Sequence, residues 1–168
     1  IASGTGLETN EEGLTVEGLT REVRGRAIVR DVTLRVHPGQ VTCLLGPSGC
    51  GKSTTLRIIA GVDRQTSGRV VLDGQVLSDE GHHFPPEDRG IGLIFQDFAL
   101  FPHLTVARNV GFGLQGASAE IAARVTETLA RVHLTDLADA YPHELSGGEQ
   151  QRVALARAVA PKPRVMLM

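Results

Sequence analysis

Gly46-Pro-Ser-Gly-Cys-Gly-Lys-Ser-Thr54 decides the reading of this 168-residue chain. Its first eight residues, Gly46 to Ser53, fit G-x-x-x-x-G-K-[ST]. Val41-Thr-Cys-Leu-Leu45 before it is a short apolar run, which predicts a strand buried on both faces. Ser53–Ala60 after it predicts a helix with Leu56, Ile59 and Ala60 inward and Gly61 as its stop. Strand, glycine loop and helix form the context in which this pattern binds phosphate. Gly46, Gly49 and Gly51 let the backbone through Pro47, Ser48, Cys50 and Thr54 curl so that successive N–H groups point inward at phosphate oxygens. The helix start adds partial positive charge. Lys52 reaches the β- and γ-phosphates, and the Ser53 hydroxyl is placed to bind Mg2+. Cys50 is read as a bland loop side chain, because a reactive thiol needs a lowered pKa.

Outward from the loop, Val32–Val36 alternates apolar and polar residues, as a half-buried strand does. Arg69–Leu77 reads as two short strands around the turn signal Asp73-Gly74. Ile91–Phe95 is a second buried strand. Ala119–Leu134 is amphipathic at helical spacing, with Ile121, Val125, Leu129 and Val132 on one face. Thr135–Ala140 is a short helix stopped by Tyr141-Pro142. Glu149–Ala160 is a helix with Val153, Ala156 and Val159 inward, and Arg164–Met168 starts one more buried strand.

A second motif, Leu145-Ser-Gly-Gly-Glu-Gln-Gln-Arg152, places Ser146, Gly147 and Gly148 at a helix start. A hydroxyl, open backbone N–H groups and a positive helix end together suit an anion. This stretch resembles the signature of ATP-binding cassette (ABC) ATPases, and the order of motifs fits as well. The resemblance runs from about Leu14 to Met168. It implies an α/β fold: a P-loop NTPase core with a mainly parallel sheet, an N-terminal antiparallel β subdomain and a helical insert. Residues of about 1–100 would form the β subdomain and P-loop core, about 101–160 the insert with the signature, and 161–168 the start of a Walker B strand, all within one domain.

The same resemblance implies roles for individual residues. The cofactors are ATP and Mg2+. Gly46 to Thr54 hold the phosphates, with Lys52 catalytic. Gln96, in Ile94-Phe-Gln-Asp97, matches the Q-loop glutamine that touches Mg2+ and the attacking water. Ser146, Gly147, Gly148 and Glu149 cap the γ-phosphate of a second ABC subunit, so a head-to-tail homodimer is implied. Val23 stands where the family stacks adenine on an aromatic ring, and it has no π face. The Walker B Asp and the catalytic Glu would follow Met168. The chain is therefore expected to be a cassette missing its C-terminal part and inactive in hydrolysis alone.

Phe98–Val106, followed by Asn109–Gly113, resembles the segment of bacterial importer subunits that docks on integral membrane permease subunits. Phe98, Leu100 and Phe101 would then form an exposed apolar surface; the same residues also suit the core beneath the insert. Phe84–Arg89 and the short insert resemble ferric-iron importers most, with polyamine, sulfate and thiamine importers close. This implies an ATPase subunit on the cytoplasmic face of the membrane, powering solute import and served indirectly by a solute-binding protein.

Composition limits the alternatives. The apolar fraction of 41% and charged fraction of 21% are those of a globular domain. A net charge of −2, one Tyr and no Trp supply neither a basic field nor stacking platforms, so no nucleic-acid partner is expected. This argues against a soluble DNA- or ribosome-acting ABC protein; a nucleotide-binding fragment without turnover remains the other alternative. No apolar run approaches the ~18 to 20 residues of a membrane span. The first ten residues have no leader pattern, and Cys43 and Cys50 suggest reduced thiols rather than a disulfide. His82-His83 is read as solvated loop.

Overall fold

The structure is a computed structural model that describes residues 12–168; the reading of the first ten residues lies outside them. The chain forms two compact units, Ile1–Pro85 and Pro86–Met168. Each is described by itself.

The first unit is built on an antiparallel sheet. Strands β1 (Leu14–Val23), β2 (Arg26–Val36), β3 (Ser67–Leu72) and β4 (Gln75–Ser78) lie in the order β2-β1-β3-β4. Leu14, Val16 and Leu19 of β1 are buried, as are Val70 and Leu72 of β3. Two tight turns connect the strands. Arg24 and Gly25 have φ of 52° and 74°, and Asp73 and Gly74 have φ of 48° and 78°. Positive φ at both central residues matches the right-handed twist of a two-residue hairpin. The Asp73-Gly74 turn is the one expected. The Asp73 carboxylate also accepts the Gly13 N–H at 2.6 Å, tying the turn to the start of β1.

Helix α1 (Lys52–Ala60) follows the glycine loop, with Ile58, Ile59 and Ala60 buried and Leu56 half-buried. Gly61 ends it at φ 84°, where its N–H and that of Val62 close the last turn. The helix and its stop agree with the sequence reading.

Val41–Leu45 differs. It is extended, outside any strand, and Val41 and Leu45 are each 90% exposed. Cys43 is exposed as well. An apolar pentapeptide becomes a buried strand only when neighbours take its backbone N–H and C=O groups and layers cover both faces. Among the described residues no strand pairs with it. Among the described residues parallel pairing lies in the second unit and antiparallel pairing in the first, the mixed α/β fold with an N-terminal antiparallel subdomain that was expected. His83 also departs from the solvated reading: it is half-buried, with its ring nitrogen 3.2 Å from the Gly61 carbonyl.

The second unit joins a strand pair to a helical insert. Strands β5 (Ile91–Leu93) and β6 (Val165–Leu167) pair in parallel, Gly92 opposite Met166. Ile94 N–H continues the ladder to the Leu167 carbonyl at 2.9 Å. A Cβ on Gly92 would stand 2.5 Å from Met166 Sδ and 3.0 Å from the Ala158 carbonyl, so only glycine permits this approach. Helices α2 (Val106–Gly111), α3 (Ser118–Arg131) and α4 (Gly147–Val159) enclose an aliphatic core. Val106, Val110, Val125, Leu129, Val153 and Ala156 lie at its centre. The inward face expected for α3 is present, with Ile121 at its edge. Thr135–Leu137 is a single 3-10 turn, shorter than the helix expected there.

Asn109, fully buried on α2, holds the loop before that helix. Its side-chain oxygen accepts the Phe101 N–H at 2.9 Å, and its amide donates to the carbonyls of Phe101, Leu104 and Thr105 at 3.0 to 3.1 Å. The Phe101 and Thr105 carbonyls also accept the N–H groups of Leu104 at 3.2 Å and Asn109 at 2.8 Å, so the Asn109 side chain adds to the loop's own bonds and takes the Phe101 N–H. Asn109→Ala is expected to destabilise the insert by about 1–3 kcal/mol, the cost of leaving a buried polar group unsatisfied. Urea unfolding followed by amide signals of α2 and α3 measures it, and a loss below about 0.5 kcal/mol would remove Asn109 from this role.

Candidate phosphate-binding site and signature helix

The glycine loop sits at the end of α1 closest to β2. Gly51 is the residue before the helix, at φ 93°. A Cβ there would stand 2.6 Å from the Ile28 carbonyl and 3.2 Å from Val29 Cγ2. Both the sign of φ and the approach to β2 demand glycine. Gly49 is also left-handed, at φ 81°, with open space around it. The Thr55 hydroxyl and N–H both bond to the Gly51 carbonyl, at 2.9 and 2.8 Å, locking the first turn. No side chain caps the helix start. Its leading N–H groups, those of Lys52, Ser53 and Thr54, have no intrahelical partner by construction.

Lys52 lies over the loop. Its ammonium donates to the carbonyls of Gly46 and Pro47, both at 2.7 Å, and lies 3.5 Å from Cys50 Sγ. The loop oxygens thus hold a cation directly above the uncapped helix end. Gly46, Pro47, Ser48, Gly49 and Cys50 are exposed, as is Ser53, while Thr54 is half-buried. These features fit an anion such as a phosphate: an uncapped positive helix end, an ammonium held over the loop and an exposed serine. Val23 ends β1 at the hairpin tip, 40% exposed, beside no aromatic partner recorded among the described residues.

In the second unit, the signature residues take the geometry of a capping box. Ser146 is the N-cap of α4, at φ −65° and ψ 160°. Its hydroxyl accepts the Glu149 N–H at 3.4 Å, while its N–H and hydroxyl donate to the Glu149 carboxylate at 2.7 and 2.6 Å. Gly147 and Gly148 are exposed, and a Cβ on either would meet open space. Packing therefore does not require glycine here; an unobstructed approach to the backbone is what the pair provides. Gln150 fastens the helix start from below, donating to the carbonyls of Pro142 and Leu145 at 3.0 and 3.3 Å.

Gln96 is exposed in the turn that follows β5. The next residues carry positive φ without being glycine: Phe98 at 60° and Ala99 at 44°. Arg157 of α4 meets them, donating to the Phe98 and Ala99 carbonyls at 2.9 and 2.7 Å. Its guanidinium lies 5.2 Å from the centroid of the Phe101 ring. Sequence reasoning did not select Arg157; the signal was a lone arginine among alanines on the inward side of Val153–Val159. Phe98, Leu100 and Phe101 are half-buried rather than exposed. Leu100 packs on the insert core, and Phe101 packs at 4.3 Å against Phe112, whose ring is 63% exposed. The apolar surface of this region is therefore centred on Phe112.

A glycine loop that cradles an ammonium at a helix start, and a Ser-Gly-Gly helix start within a helical insert, define a nucleotide-binding domain of the cassette class. The chain belongs to the ABC transporter family, whose profile matches residues 29–168. It is similar to the putrescine transport ATP-binding protein PotG of Escherichia coli (strain K12), 46% identical over 158 residues that cover 92% of this chain and 41% of the relative. It is also similar to the Fe(3+) ions import ATP-binding protein FbpC of Mesorhizobium japonicum, 49% identical over 156 residues covering 92% of this chain and 43% of the relative. The chain thus spans about two-fifths of the length of these relatives. Among solved structures it resembles a dimeric post-hydrolysis state of the ATP-binding cassette MJ0796 bound to ADP and Pi. That match has a TM-score of 0.77 and 35% identity, covering 91% of this chain and 72% of the other. Among the described residues no helix is long and apolar enough to cross a membrane.

Glu149 is held below the ordinary carboxylate range, first by the Ser146 hydroxyl, then by the Ser146 N–H and the charge of Arg152. A depressed carboxylate contributes to folding above its unfolded pKa, near 4.3 for glutamate, and that contribution is lost as pH falls through the lower folded value. In a carboxyl NMR titration Glu149 is expected to titrate below the ordinary glutamate range. Ser146→Ala should move its midpoint up; an unmoved midpoint would show that the capping box does not set it.

Proposed function

We propose that this chain is the ATP-binding part of a subunit that powers import of a solute across a membrane. The observation that carries the reading is the Lys52 ammonium poised over the uncapped start of α1 in a glycine loop. Lys52 and the N–H groups from Gly49 to Thr54 hold the β- and γ-phosphates of ATP, and the Ser53 hydroxyl is a ligand for Mg2+. Gln96 keeps the role implied by the family, toward the metal and the attacking water. ATP hydrolysis is the proposed activity of the whole protein.

The open Gly147-Gly148 backbone supports the second part of the reading. Ser146, Gly147, Gly148 and Glu149 meet the γ-phosphate bound by another copy, giving a head-to-tail homodimer that closes on ATP. The relative solved as a dimer with ADP and Pi supports this arrangement. Integral membrane permease subunits are the proposed partners, docking near Phe112 and Phe101, with a solute-binding protein acting through them. This places the subunit peripherally on the cytoplasmic face. The relatives named for putrescine and for Fe(3+) support a cationic solute, and the sequence features at Phe84–Arg89 favour ferric iron.

Two measurements test these assignments. Lys52→Ala is expected to weaken ATP binding by about 1.5–3 kcal/mol, the worth of a hydrogen bond to a charged group. Isothermal titration on the full-length subunit reads this, and equal affinities would sink the loop assignment. For the dimer, full-length Lys52→Ala and Ser146→Arg subunits are mixed with a slowly hydrolysed ATP analogue. One composite site then keeps both halves, so the mixture should trap nucleotide while Ser146→Arg homodimers trap none. Trapping by those homodimers at the parent level would refute assembly across subunits.

A further inference from the structure

The segment after Gln96 is fixed at two places. Asn109 binds its far end through Phe101, Leu104 and Thr105. Its near end is a pair of left-handed residues, Phe98 and Ala99, whose side chains disfavour that region. Short local bonds, from Phe98 N–H to the Phe95 carbonyl at 3.0 Å and from Ala99 N–H to the Asp97 carbonyl at 2.7 Å, shape the turn. They leave the Phe98 and Ala99 carbonyls pointing toward α4, where the Arg157 fork takes both at once. The guanidinium is half-buried and flanked by the Phe101 ring; its bond to the Phe98 carbonyl is partly shielded from water, and its bond to the Ala99 carbonyl lies at the surface. Arg157 stands three helical turns from Ser146 on the same helix. A helix of this length transmits a displacement of its start to its last turn as a rigid body.

We infer that Arg157 is a positioning residue that makes the segment Phe98–Phe101 move with the signature helix, so that nucleotide capture at Ser146–Gly148 is felt at the surface around Phe101 and Phe112. The inference rests on the reading that the start of α4 meets a nucleotide. The bidentate grip is the essential feature. Lysine supplies the charge but a single point contact, and glutamine supplies neither the charge nor the fork.

Hydrogen exchange on the full-length subunit, with and without Mg2+ and a slowly hydrolysed ATP analogue, tests it. In the parent protein the amides of residues 97–101 should be protected and should respond to the nucleotide. In Arg157→Gln their exchange should rise about tenfold and ignore the nucleotide, while amides inside α2 and α3 keep their protection. Arg157→Lys should be intermediate and should restore part of the response. It also carries the test if the glutamine variant fails to fold. A nucleotide response at 97–101 that survives in both variants would overturn the proposal. So would a loss of protection spread evenly through α2, α3 and α4, which is what a packing role alone produces. A parent protein that binds the analogue tightly without any response at 97–101 overturns the link, whereas failure to bind nucleotide overturns the functional reading instead.

Discussion

The approach of Gly51 to the Ile28 carbonyl is the contact on which the phosphate loop depends. With the Cα this close to a β2 backbone oxygen and φ at 93°, the chain has no room for a side chain and no freedom to choose another turn. The turn starts α1 with no side chain capping its first N–H groups. It also curls Gly46 and Pro47 so that their carbonyls converge on the Lys52 ammonium. The positive helix end and the Lys52 ammonium are thus both held at the loop by backbone geometry alone.

The signature helix solves a related problem in a different way. Its start is capped from within, by the reciprocal bonds between Ser146 and Glu149, while the glycines between them stay bare. Capping without bulk keeps the helix formed and its first turn accessible. An anion arriving there meets Gly147 and Gly148 backbone, and competes with the Glu149 carboxylate for the Ser146 hydroxyl proton. The Glu149 charge therefore lies beside the uncovered glycines, engaged with the Ser146 N–H and hydroxyl.

Polar side chains, one buried and one half-buried, shape the loop between β5 and α2. Asn109 and Arg157 together engage backbone groups of Phe98, Ala99, Phe101, Leu104 and Thr105. An irregular segment lacks the internal ladder of a helix or strand, so its carbonyls need partners from elsewhere. The aliphatic core of α2, α3 and α4 supplies the free energy of the insert; these two residues fix the shape of the surface beside it.

Much was legible in the sequence because it is decided locally. The Asp73-Gly74 hairpin, the α1 stop at Gly61, the apolar face of α3 and the helix starts after Gly51 and Ser146 each depend on the backbone preferences of a few adjacent residues. Strand β1 was not legible: Gly18 and the register shift between Val16 and Leu19 break its alternation, so Leu14, Val16 and Leu19 share a buried face without sharing a period. Val41–Leu45 failed for the opposite reason. Its composition announces a buried strand, but pairing is a property of neighbours, and none of the described strands lies beside it. Arg157 was invisible because its partners are carbonyls, which carry no residue identity and lie 58 and 59 positions away. The sequence by itself determined the two glycine motifs at their helix starts and the local turns, which need only short-range backbone geometry. Tertiary structure alone decided which apolar runs find a partner and which charges grip the backbone, because those choices are made between segments distant along the chain.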